Sequence, residues 1–266
     1  MIDVELLNPE VVENLYRNHG LFACVCYATP DSRSEKVGRK CQESGHMSGS
    51  RCEYIKFRIS GIDRGTAEQC LRHEIGTAVP LAMQDNYSIS DEMDLHTTLS
   101  PDLVVKNMAS FRYIDKAGFK WVTPLAIEYC PEAKAEYDAL MLHINEKRRA
   151  IKAALERSGI ASVQATEDAN FVLPRATTTD LIIAFTPEAL IHFCHKRMCS
   201  RAQQFIREIA WQMREAVAVY SPEFADELKP QCEHYLWCPE KERSCGRFPL
   251  KRELQALLEY ETQVGK

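Results

Sequence analysis

Residues 186–213, TPEALIHFCHKRMCSRAQQFIREIAWQM, constrain the fold of this 266-residue chain more than any other stretch. Leu190, Phe193, Cys194, Phe205, Ile206, Ile209 and Met213 recur at helical spacing and define one buried face. Thr186 is a good N-cap, and Pro187 at the first helical position has the φ that a helix start needs. The pattern predicts one long helix over 186–213. Three arginines sit in it, where a core helix would want none. Arg197 and Arg201 are four apart, so they share a face beside the apolar stripe. An unpaired buried charge is costly, so guanidinium groups placed there imply bound anions. The alternative is that both snorkel to water or pair with carboxylates.

The chain is long enough for one large domain or two small ones with a sizeable core. Its 45% hydrophobic and 27% charged content places it among soluble globular proteins. A net charge of −5 argues against non-specific nucleic-acid binding, which normally needs a basic surface, but allows a local basic pocket for a small phosphorylated ligand. No apolar run approaches a membrane span, and the N-terminal MIDVELLNPE lacks a charged-then-apolar signal pattern. The expectation is a cytoplasmic protein with no membrane partner. Among the 11 cysteines, Cys24, Cys26, Cys70, Cys130 and Cys194 sit within apolar segments, as free thiols do in a reducing compartment.

The remaining segments read as α+β: a mixed or antiparallel sheet flanked by helices. The run LFACVCYAT (21–29) is compatible with a strand or a buried helical turn. SEKVGRKCQES reads as a helix ending near Gly45, followed by a loop. EYIKFRISGI alternates and reads as a strand, and RGTAEQCLRHEIG as a helix with Gly76 at its C-terminal end. The stretch 79–106 is polar and aperiodic. SFRYIDKAGFKWVTPLA resumes strand-like alternation around an Ala-Gly turn, so Phe111, Tyr113, Phe119 and Trp121 are expected on a buried strand face. Residues 129–158 form a charged amphipathic helix stopped by Gly159. The division expected is a main domain over 1–220, with an insertion at 79–106, and a Cys-containing extension over 221–266.

Several short stretches together resemble the flavin-dependent thymidylate synthases, in that family's order, from about residue 40 to 215. Arg72-His73-Glu74 resembles the family's Arg-His-Arg. Asn107-Met108-Ala109-Ser110-Phe111-Arg112-Tyr113 is similar to its Asn-Glu-x-Ser-x-Arg-Tyr. Arg197, Arg201, Ala202 and Gln203 resemble its Arg-x4-Ala-Gln segment, and GHMSGSRCEYIKF around His46 resembles its Gly-His-x-Ser/Thr stretch. The resemblance implies reductive C5-methylation of dUMP, with methylenetetrahydrofolate as carbon donor and NADPH as reductant through FAD. It implies that Ser110 and Arg112 hold the nucleotide phosphate with help from Gln69. Arg197 orients the pyrimidine and stabilises negative charge on it, so Arg197 and Ser110 are the catalytic candidates. It places Arg72, His73, Glu74, His192 and Tyr54 against the flavin, and implies a homotetramer with sites between subunits. Arginine's planar fork suits phosphate oxygens, and the flavin carries the hydride chemistry, so the protein need only bind, orient and exclude water.

The departures also matter. Glu74 reverses a charge, Met108 stands where Glu or Gln is usual, and Tyr54 takes the place of a histidine. Asn170 and Glu188 occupy positions where many members place arginines, and the insertion splits a signature that is normally continuous. Lys106, Arg175, Lys196 or Arg201 are candidates to compensate for the lost cations. A related activity on UMP or another pyrimidine nucleotide, or a non-catalytic nucleotide-binding homologue, is the alternative expectation. In the tail, Cys232, His234, Cys238 and Cys245 are soft ligands that could hold zinc, but the spacing lacks CxxC pairs, so free thiols and no metal are the default.

Overall fold

The computed structural model describes residues 2–72, 104–112 and 114–256. Strands β1 (Asp3–Leu6), β2 (Ile55–Asp63), β3 (Val104–Met108) and β4 (Thr178–Phe185) form one sheet in the order β1-β2-β4-β3. The sheet is antiparallel and flanked by helices, the α+β class that the patterning predicts. The principal helices are α1 (Leu15–Cys26), α2 (Ser34–Glu43), α3 (Arg64–Leu71), α4 (Pro131–Arg157), α5 (Ser162–Ala169), α6 (Pro187–Arg197), α7 (Gln204–Ala218) and α8 (Gln231–Tyr235). Among the described residues, no helix is long and apolar enough to cross a membrane.

The chain folds as two compact units. One holds Arg58–Arg72 and Lys106–Ile182 with the first residues of the chain; the other holds Val4–Phe57 and the residues from Ile183 onward. In the first unit the Gly61 N–H donates to the Asp180 carboxylate at 3.1 Å, and the Ala109 N–H to the Asp180 carbonyl at 3.0 Å, fixing β4 between its neighbours. α4 packs on α5 and ends where expected, with Gly159 at φ +91° just beyond it. Its buried residues are Met141, Asn145 and Arg148, an unusually polar set.

A strand was expected over SFRYIDKAGFKWVTPLA, and none forms. The backbone turns at Phe111–Arg112 and at Ala117–Gly118, and pairs only as an isolated bridge between Trp121 and Thr177. The cause is a buried side chain: Asn170 Nδ2 donates to the carbonyls of Phe111 and Ile114, groups that a strand ladder would need. Of the four aromatics expected on a buried strand face, Phe119 is buried and Tyr113 lies outside the described residues. The strand forms earlier instead, at β3, which takes up the end of the 79–106 stretch. The rest of that stretch, with His73, Glu74 and Gly76, lies outside the described residues.

In the second unit α1 and α2 meet backbone to backbone. A Cβ on Gly20 would strike the Ser34 carbonyl, and one on Gly38 the Tyr16 carbonyl, so only glycine permits this approach. The 21–29 run is helical as far as Cys26, yet Leu21, Phe22, Val25 and Tyr27 are exposed and only Cys24 is buried. The predicted single helix over 186–213 is two helices. Thr186 caps the first as expected, accepting from the Ala189 N–H, and Leu190, Phe193, Cys194, Ile206, Ile209 and Met213 are fully buried. Between them, 198–203 is a turn. Gln203 Oε1 accepts from the N–H groups of Phe205 at 3.0 Å and Ile206 at 3.2 Å, giving α7 its own cap. Arg201 therefore lies outside any helix, and the face it was expected to share with Arg197 does not exist.

Candidate functional site

The first unit contains an open cleft of about 840 Å³ whose walls include Arg64, Glu68, Met108, Ser110, Phe111, Arg112, Glu167, Asn170 and Arg175. Ser110 leaves the end of β3, and its hydroxyl accepts from the Arg112 N–H at 3.2 Å, which fixes the turn that presents both side chains. Arg112 Nε donates to Glu167 at 2.7 Å, and its side chain is 63% exposed, so the fork is paired but reachable. Arg64 and Lys116 flank the Phe111 ring, with Arg64 5.1 Å and Lys116 4.9 Å from its centroid. Arg175 crosses the start of α3, donating to the Gly65 carbonyl at 3.4 Å. A Cβ on Gly65 would lie 2.6 Å from Arg175 Cζ, so the glycine makes room for that guanidinium. Asp63 caps the same helix through the Thr66 N–H at 2.9 Å. Three arginines thus face two carboxylates around a hydroxyl, a surface suited to a phosphate.

The turn rests on a buried cation that sequence reasoning missed. Arg148 on α4 has no exposed side-chain surface; its Nε donates to Asn170 Oδ1 at 2.7 Å and its Nη2 to Asp115 at 2.6 Å. Asn170 in turn holds Phe111 and Ile114, so a chain of hydrogen bonds runs from α4 to the Ser110–Arg112 turn. Lys152 above all, with Arg148 and the Ala117 N–H adding to it, holds the Asp115 carboxyl down to about 2 against the opposing effect of burial. Nothing distinguishes Arg148 in sequence from the other basic residues of that charged helix.

Gln69 and Arg72 occupy the last turn and C-cap of α3; Gln69 is half-buried and Arg72 exposed. The cleft takes Arg64 and Glu68 from this helix and neither of those two. Lys106 Nζ donates to the Leu71 carbonyl at 2.6 Å, closing the C-terminal end of α3.

The second unit carries Tyr54, His192 and Arg197. Arg197 is the last residue of α6, half-buried, and its Nε is buried without a hydrogen-bond partner among the described residues. His192, one turn earlier and exposed, has its pKa lowered by desolvation and by the Lys196 charge, with Glu188 opposing. The Tyr54 carbonyl accepts from Asn8 Nδ2 at 2.7 Å. Glu188, on the first turn of α6, is gripped by the Arg51 fork at 2.7 and 3.3 Å. At two of the three positions where the sequence lacks an expected arginine, Asn170 and Glu188, an arginine from another element lies alongside, Arg148 and Arg51; the third, Glu74, lies outside the described residues.

The first unit thus presents an arginine-lined cleft within an α+β fold. The profile of the family described as "Thymidylate synthase complementing protein" matches residues 18–223. The chain is 33% identical over 213 residues to the flavin-dependent thymidylate synthase of Nitratidesulfovibrio vulgaris, covering 80% of this chain and 76% of that one. It is 28% identical over 237 residues to the protein of the same name from Geobacter sulfurreducens, covering 85% and 87%. With the Thermococcus kodakarensis protein of that name it shares 29% over 207 residues, covering 74% and 69%. The chain belongs to the flavin-dependent thymidylate synthase family.

Proposed function

We propose that this protein methylates C5 of dUMP reductively, taking the carbon from methylenetetrahydrofolate and the reducing equivalents from NADPH through bound FAD. The observation that carries the reading is the cleft around Ser110 and Arg112, on a chain whose relatives bear the name of that activity. Ser110 and Arg112 bind the nucleotide phosphate, with Gln69 assisting, and Arg64 and Arg175 add charge to the same cleft. Phosphate displaces Glu167 from Arg112, exchanging one anion for another on the same guanidinium.

Arg197 orients the pyrimidine. Its orphaned Nε is a donor in want of an acceptor, and a buried unmade hydrogen bond costs about 1–3 kcal/mol, which a uracil carbonyl would recover. A guanidinium at that carbonyl favours an electron-rich ring, an electrostatic effect built in before the substrate arrives. The flavin fits the residues present. Arg72 is exposed, and the lowered pKa of His192 keeps its imidazole neutral at pH 7, suited to hydrogen bonding rather than ion pairing. These two, with Tyr54, His73 and Glu74, are the residues assigned to the cofactor, which when bound supplies the hydride transfer. The assembly is a homotetramer in the cytoplasm, with sites between subunits and residues 221–266 as a C-terminal extension. The free cysteines suit that reducing compartment.

The direct test is dTMP formation from dUMP, methylenetetrahydrofolate and NADPH, with the absorption spectrum recorded with and without dUMP. Yellow protein and turnover of dUMP ahead of UMP and dCMP are expected. Arg197→Ala should lower kcat about 100-fold or more, the scale for removing one donor from a developing negative charge. Protein that stays colourless after incubation with FAD and dUMP, and makes no dTMP, overturns the reading.

A further inference from the structure

Away from the nucleotide cleft, the second unit places four cysteines around one small cavity of about 50 Å³: Cys199, Cys232, Cys238 and Cys245. None of the four is in a disulfide. Cys199 comes from the turn between α6 and α7, Cys232 from α8, and the other two from the loops that follow. We propose that these four thiols form a structural zinc site that staples residues 231–250 onto the α6–α7 turn.

Three independent observations carry this. The first is the ligand set: four thiolates are the composition of a closed tetrahedral zinc site, and soft sulfur selects that metal over magnesium or calcium. The second is the way the backbone is already held. Arg201 Nε donates to the Arg243 carbonyl at 2.7 Å and its Nη2 to the Ser244 carbonyl at 3.4 Å, tying the turn that carries Cys199 to the residues just before Cys245. The Cys238 N–H donates to the Pro249 carbonyl at 2.7 Å, and Lys196 Nζ reaches Gln231 at 2.9 Å beside Cys232. The third is a missing core. Between residues 231 and 250 the one buried side chain is Cys238, while Tyr235 and Leu236 are exposed, so apolar burial does not hold the segment in place. Loop-rich segments without a core are the ones that need a metal.

Among the described residues, no three His, Cys, Asp or Glu side chains already stand in metal-binding geometry. Binding zinc therefore requires the four thiols to leave the positions they hold in the structure, by rotation about χ1. Four thiolates around a divalent ion leave two negative charges, and Arg201 and Arg247 line the same cavity to offset them. The sequence pointed to His234 as a fourth ligand. The structure instead sets its ring against that of His195, tilted by 40° with centroids 4.9 Å apart, and Cys199 supplies the fourth sulfur.

Metal analysis of the full-length protein, purified from zinc-supplemented cells without chelator, tests this. About one zinc per chain is expected, as in other closed sites built from four thiolates. A strong chelator should release it, expose four more thiols to a thiol reagent, and make the tail cleavable by protease. Cys232→Ser and Cys245→Ser should each lose most of the metal, whereas Cys130→Ser, at an exposed cysteine outside the set, keeps it. A variant that fails to fold would also lose metal, so cobalt loading of the unaltered chain is the second measurement. Sulfur-to-cobalt charge transfer with tetrahedral ligand-field bands supports the site. Zinc-free protein whose thiol reactivity does not respond to added zinc, or metal retained in both variants, overturns it.

Discussion

Asp115 and Arg148 show how much of the cleft depends on side chains that never line it. Arg148 has no exposed side-chain surface, and among the described residues its Nη1 has no hydrogen-bond partner, so Asp115 and Asn170 are the groups seen to hold it. The Asp115 carboxyl lies below the ordinary carboxylate range in the folded state. Its contribution to stability is therefore complete above about pH 4 and is lost as pH falls through about 2. Asp115→Asn should lower the urea midpoint at pH 7 and flatten its fall between pH 4 and 2. An undiminished acid-induced fall in the variant would place the titrating group elsewhere. Ser110 and Arg112 were legible in the sequence as one unit through their likeness to the family's Ser-x-Arg motif, whereas the turn that carries them was not. Arg148 was not, because a basic residue on a charged helix gives no sign of whether it faces water or core. Asn170 was legible only as an arginine that was missing.

The break in the predicted 186–213 helix is the main lesson at the scale of elements. Its apolar face holds on both sides, with burial following the 3.6-residue period in each half, except that Phe205 at the start of α7 is only half-buried. The interruption contains no proline or glycine and so lacked the usual punctuation. It is made by a glutamine side chain satisfying two N–H groups at a new helix start, and by Arg201 reaching carbonyls more than forty residues away. The strand expected over 110–126 failed for a related reason, because Asn170 captured the carbonyls of Phe111 and Ile114 from a distant part of the sequence. In both cases a long-range side-chain-to-backbone bond overrode a local pattern. Gln203→Ala should remove the α7 cap at a cost of about 1 kcal/mol, measured as a lower thermal midpoint with unchanged helix content at low temperature. A midpoint equal to that of the unaltered protein would mean that the other contacts of the turn, those of Arg201 and Arg207, hold it without the cap.

For the molecule as a whole, the exposed side of α1 is the feature most at odds with a lone chain in water. Leu21, Phe22 and Val25 fall at helical spacing on one surface, with Val25 81% exposed. In the proposed homotetramer this face is a candidate subunit contact. Val25→Glu should then shift the mass measured by light scattering toward smaller species, while the circular dichroism spectrum stays the same. A tetramer unaffected by the charge would move the contact to another face. The two compact units also have a consequence for how the protein is made, because the chain crosses between them several times. The unit that carries the cleft uses no residue beyond Ile182, whereas the other needs both Val4–Phe57 and the residues from Ile183 on. During translation, the cleft around Ser110 can therefore assemble while its companion is still half-made. The early segment 4–57, with its bare apolar helix, must wait on the ribosome for the last third of the chain, and it is the stretch most in need of a chaperone.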